Sequence, residues 1–175
     1  MYELARIRLH SVGPKGARYQ DVTLDLRHVG AVVGKPAQDV LFAVEPAAGT
    51  AVVRRPSPAT VVFLENGGGK SVLIKLIFSV MLPGRRQVVG TTSTRVLERF
   101  ALADDVAHVA LEWQHVQTGR QVVIGKVSAW RDHVVSSDPN RLSEAWYSFR
   151  PSASFTLDSL PFSADRIFAQ LAEAK

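Results

Sequence analysis

The stretch that most constrains the fold of this 175-residue chain is residues 59–82. It opens with Ala-Thr-Val-Val-Phe-Leu, passes through Glu65-Asn66 and three glycines, and enters a second apolar run at Lys70-Ser71. Residues 59–64 are apolar on both faces, which predicts a central strand covered on each side. Residues 71–82 predict a helix that is nearly buried all round, because only Lys75 and Ser79 are polar between Val72 and Leu82. Pro83-Gly84 ends it. A strand, a glycine turn and a helix in this order predict an anion site. Successive backbone N–H groups of such a turn form a concavity, and side chains at Gly67, Gly68 or Gly69 would keep a phosphate at a distance. The N–H groups opening the helix add positive potential at the same place. Lys70 supplies a mobile charge for the outer phosphates of a nucleotide, and the Ser71 hydroxyl suits an octahedral Mg²⁺ shell. The general pattern for such a loop is G-x-x-x-x-G-K-[ST], and here Leu64 stands in its first glycine position. The plainer alternative is a glycine-rich turn carrying an exposed lysine.

The rest of the chain reads mainly as strands. Residues 3–9 alternate, with Ala5, Ile7 and Leu9 on one face and Arg6 and Arg8 on the other; residues 21–26 repeat the pattern. Gly13-Pro14-Lys15-Gly16 between them is turn chemistry, so an antiparallel pair with a basic loop is expected. Residues 28–58 are rich in Pro and Gly and read as an irregular insertion with one or two edge strands. A short helix is expected over 94–102, a hairpin over 107–113 and 121–127, a strand over 146–150 and a helix over 165–175.

The run from Glu65 to Ser71 resembles the Walker A loop of ABC-type ATPases, whose core is N-G-x-G-K-[ST]. The early strand pair and the later hairpin resemble the N-terminal half of an SMC-like ATPase head, over about residues 1–130. That resemblance implies an α/β P-loop fold with a mixed sheet plus an antiparallel β lobe, and residues 1–175 as one domain with the phosphate loop at 64–71. It implies that Asn66, Gly67, Gly68, Gly69, Lys70 and Ser71 bind ATP, with Mg²⁺ on Ser71 and Lys70 acting in catalysis. A glutamine near the end of such a half-head touches Mg²⁺, and Gln170 lies in that region, in a pattern that also reads as a surface helix. Arg18, in the basic loop, is a further candidate for phosphate or base; a solvated turn explains it equally. Walker B and the signature motif are not in this sequence. The resemblance therefore implies a C-terminal half supplied elsewhere, a second head forming a homodimer, and little hydrolysis by this chain alone. The expected role is ATP-driven action on DNA, in chromosome maintenance and segregation, DNA repair or defence against foreign DNA.

Charge and composition narrow the alternatives. The chain has a net charge of +5 and no cysteine, which favours anionic partners such as DNA and excludes thiol chemistry and disulfides. No apolar run reaches the length of a membrane span and no secretory signal is visible, so a cytoplasmic protein without a membrane partner is expected. Glu112 reads as a charged residue alternating out of a half-buried strand. One rival reading is a self-contained NTPase or kinase using Glu112 or Asp158 near the phosphates. Another is a non-catalytic module that binds nucleic acid or a partner through its basic surface. Of the three tryptophans, each can stack a base, but core filling is the commoner use.

Overall fold

A computed structural model describes residues 1–16, 18–29, 54–63, 69–83, 100–136 and 138–160. The first strand, β1 (Tyr2–Val12), buries Ala5, Ile7 and Leu9 on one side, as the alternation requires. It pairs antiparallel with β2 (Tyr19–Asp25), placing Leu9 opposite Val22 and Ile7 opposite Leu24. A short ladder joins β3 (Arg27–Val29) to β4 (Arg54–Pro56). After the helix α1 (Lys70–Met81) come β5 (Val106–His115), β6 (Gln121–Trp130) and β7 (Leu142–Phe149). The large sheet has five strands in the order β2-β1-β5-β6-β7, and every neighbouring pair is antiparallel. Both expected hairpin-type pairings are present, and the strand expected over 146–150 is β7, displaced toward the N-terminus.

The expected α/β P-loop fold with a mixed sheet is not what the chain forms. Among the described residues it is mostly β: one antiparallel five-stranded sheet, a two-strand ladder and a single α-helix. The segment that was to be the central strand decides this. Residues 60–63 belong to no strand, and Val61 and Phe63 are 74% and 91% exposed. A strand apolar on both faces is stable only when neighbours fill its two ladders and cover its two sides. Among the described residues no strand pairs with this segment: the five-stranded sheet and the two-strand ladder are both built without it. Periodicity reported the apolar character of the segment but not the absence of neighbours.

Residues 30–53, 84–99 and 161–175 lie outside the described residues, so most of the insertion and of the helix over 94–102, and the whole of the helix over 165–175, are not placed. The portion of the 94–102 segment that is described, Phe100 to Leu102, is not α-helical.

The two faces of the sheet are covered differently. On one, Leu73, Leu76 and Val80 of α1 pack with Ile7, Leu9, Val109 and Leu111. A buried ion pair, Lys126 Nζ to Glu144 Oε1 at 2.5 Å, extends this face toward β7, with the ammonium 4.9 Å from the Trp146 ring centroid. The other face is covered by Leu157 and Leu160, which pack on Ala110, Val123 and Tyr147. Tyr147 can lie there because Gly125 opposite has no side chain; a Cβ at that position would run into the phenol ring.

Candidate functional site

Helix α1 begins at Lys70, one residue earlier than the pattern predicts, and Gly69 precedes it at φ 88° and ψ 16°. This left-handed conformation is open to glycine at little cost. A side chain would fail there for a second reason: a Cβ would lie 2.9 Å from the Tyr19 hydroxyl. The Gly69 carbonyl accepts the first helical bond from the Leu73 N–H at 2.8 Å. No side chain caps this end, and no acidic residue lies in the first turn. The first N–H groups of a helix point out of its N-terminal end, so this end carries positive potential. Both Lys70 and Ser71 are exposed beside it. Leu73, Leu76 and Val80 anchor the helix through its buried side, which leaves that end presented outward.

Tyr19 is the residue that sequence reasoning missed. Its hydroxyl donates to the Gly69 carbonyl at 3.3 Å, and burial holds its pKa above the usual phenol value, so it remains a donor at neutral pH. The signal lay in no motif. Tyr19 reaches the helix only because the β1–β2 register pairs it with Val12.

The other expected site residues are spread apart. Asn66, Gly67, Gly68 and Gln170 lie outside the described residues, whereas Gly69, Lys70 and Ser71 sit together at the helix start. Arg18 is adjacent to Tyr19 in sequence, but its guanidinium donates to Gly13 O at 2.8 Å and to Asp105 Oδ2 at 2.6 Å. The same carboxylate oxygen accepts the Leu102 N–H at 2.6 Å. In this arrangement Arg18 braces the turn after β1. Glu112 does not alternate into solvent: it is 0% exposed and receives Arg6 Nε and Nη2 at 2.8 and 2.7 Å. Asp158 meets the same guanidinium at 2.6 Å. These hydrogen bonds, with Glu112 the larger, raise the Arg6 pKa further above its usual value against the opposing effect of burial. Arg6 and Glu112 are register partners on the face turned away from α1, so neither acid candidate is placed beside Lys70. Among the described residues no group of three or more His, Cys, Asp or Glu side chains is arranged to hold a metal ion. Among them, too, no helix is long and apolar enough to cross a membrane.

No protein-family model, curated protein or solved structure matches this chain.

His108 and Tyr147 form a separate buried pair on the Arg6 face, with the imidazole Nε2 hydrogen-bonded to the phenol oxygen. Desolvation is the main cause that lowers the His108 pKa to about 3, and it drives the Tyr147 pKa upward. Both groups are therefore neutral near pH 7. Tyr147 packs with Leu157 and Leu160 of the covering segment, and both His108 and Tyr147 are buried. Trp130 is buried and donates its indole N–H to Ala101 O at 2.8 Å, while Trp146 alone of the three tryptophans is substantially exposed, at 38%.

Proposed function

We propose that this chain binds a nucleoside triphosphate with Mg²⁺ at the start of α1, as one part of an ATPase that acts on DNA. The observation carrying this reading is the left-handed Gly69 leading into Lys70 and Ser71 at a helix end without a side-chain cap or a first-turn acid. The residues suit the ligand: a helix start without a side-chain cap, a cation and a hydroxyl. In the sequence, Asn66, Gly67 and Gly68 directly precede this end, as the resemblance to a Walker A loop requires.

Bound there, the nucleotide supplies a phosphoanhydride and the Mg²⁺ draws charge from its oxygens. The backbone amides hold the phosphates, the Lys70 ammonium offsets charge that grows on them, and the Ser71 hydroxyl offers the metal a ligand. Glu112 is committed to Arg6 on the far face, so in this reading the carboxylate that orients water comes from another segment. Exposed apolar residues favour such a completing segment. Ile74, Phe78 and Met81 follow one another at helical spacing on the outer side of α1, and Val61 and Phe63 precede it. A C-terminal half of the same protein, paired with a second copy, accounts for that surface. The +5 charge supports DNA as the partner acted upon.

Calorimetry on the full chain tests the site. Lys70→Ala weakens Mg·ATP at least tenfold, and Asp158→Asn leaves the affinity unchanged. A Lys70→Ala protein that binds as tightly as wild type overturns the assignment. If instead Asp158→Asn abolishes binding, the nucleotide lies against the opposite face of the sheet.

A further inference from the structure

The β1–β2 hairpin touches the start of α1 through one side chain, and the chemistry of that contact reaches beyond packing. The Gly69 carbonyl and the Lys70 N–H belong to one planar peptide unit and point in opposite directions. Whatever fixes the carbonyl therefore aims the N–H. Two donors converge on this oxygen, the Leu73 N–H at 2.8 Å from within the helix and the Tyr19 hydroxyl at 3.3 Å from the sheet. The carbonyl is thus held from two elements, which fixes the plane of the peptide that carries the Lys70 N–H.

We propose that Tyr19 is a positioning residue for the phosphate end of the ligand, acting through the Gly69–Lys70 peptide and not by touching the ligand. The inference rests on the nucleotide-binding reading. Three observations support it. Tyr19 is set in the sheet ladder opposite Val12, and its ring packs against the main apolar cluster, so the hydroxyl is delivered from a rigid element. The preceding residue, Arg18, ties the turn to Gly13 O and to Asp105, which removes freedom from the chain just before the ring. Finally, the hydroxyl occupies the space that a Cβ on Gly69 would need, so the same atom selects glycine and orients its carbonyl. An anion site gains affinity when its donors are already aimed, because no ordering cost remains to be met on binding.

The test compares wild type with Tyr19→Phe, which keeps the ring and removes the donor. Two probes are used on the full chain, Mg·ATP and inorganic tripolyphosphate, with thermal unfolding measured alongside. Loss of one neutral hydrogen bond predicts that both probes bind roughly fivefold more weakly. The melting temperature of the free protein stays within about 2 °C of wild type. A residue with a merely structural role would shift the melting temperature and spare the affinity of the folded protein. In a Gly69→Ala background the Tyr19→Phe step has no further effect, because the peptide it orients is already displaced. Unchanged affinity for both probes in Tyr19→Phe overturns the proposal. So does a loss confined to Mg·ATP, which makes Tyr19 a contact of the nucleoside. Wild type that binds neither probe overturns the nucleotide reading itself, and the role of Tyr19 falls with it.

Discussion

Leu111 and Glu112 are consecutive residues of β5, both 0% exposed, and they face opposite sides of the sheet. Leu111 joins the aliphatic cluster under α1. Glu112 lies on the other face and receives the Arg6 guanidinium through two hydrogen bonds. The first face is held by a non-directional attraction proportional to area, so a loss is graded by the atoms removed. The second depends on directional pairs, in which removing one partner leaves the other charge stranded. Equal burial therefore hides two different responses to change. The segment over the second face adds to this, because Arg8 donates to both Leu157 O and Asp158 O at 2.7 Å.

The largest effect separating the two faces is expected at Glu112. Arg6→Met, which strands the fully buried Glu112 carboxylate, should destabilise the protein by about 3–5 kcal/mol, measured by urea unfolding. The double variant Arg6→Met with Glu112→Leu should recover most of that loss, because no buried charge then lacks a partner. If the double variant is as unstable as the single one, packing dominates this face also and the contrast is broken. On the aliphatic face, Leu111→Ala should cost about 3 kcal/mol, with no rescue from changes in charge.

Acid sharpens the same contrast. In the folded protein His108 stays neutral down to a pKa of about 3, whereas an unfolded chain takes up its proton near the ordinary imidazole value of 6.5. The folded pKa is depressed, so at pH 7 the group carries no penalty. Stability then falls as pH drops from 6.5 toward 3, by about 1.4 kcal/mol per pH unit for this one proton. Unfolding curves at pH 7 and pH 5 for wild type and His108→Gln read this difference, and the variant should have the flatter acid limb. An acid limb as steep in His108→Gln as in wild type would assign the protons elsewhere. The smallest effect belongs to Asp25, whose pKa is lowered from 3.8 to about 2 chiefly by the Arg27 side chain. Its contribution is present above the ordinary carboxylate value and is lost as pH falls through about 2. Asp25→Asn should remove only that last part of the acid limb, because the group is largely solvated.

Much of the sheet was legible from alternation. Ala5, Ile7 and Leu9 against Arg6 and Arg8 marked β1, and the turn chemistry at Gly13 to Gly16 led to the correct antiparallel partner. The hairpin of β5 and β6 followed from the same reasoning. Alternation assigns residues to faces, but it does not say what covers each face. Glu112 looked solvent-facing because a charged residue in a half-buried strand usually alternates outward; Arg6 from β1 and the distant segment with Leu157, Asp158 and Leu160 make that side an interior. Residues 59–64 failed in the opposite sense, since an apolar segment announces a wish for neighbours that the described chain does not supply. At the helix start, Gly69, Lys70 and Ser71 were readable as a local pattern. Tyr19 was not, because 50 residues separate it from Gly69 and only strand register closes the gap.

Arg6 and Arg8 also have a mechanical meaning. They fasten β1 to the backbone and side chain at Leu157 and Asp158, more than a hundred residues along the chain. Tension applied to the polypeptide beyond Leu160 would load these two guanidinium groups before it loaded the edge strand β7. From β1 the force passes sideways through the ladder into β2, where Tyr19 meets the first residue before the helix. The chain thus contains a continuous load path from its later segment to Gly69, built from two arginines and one strand pairing.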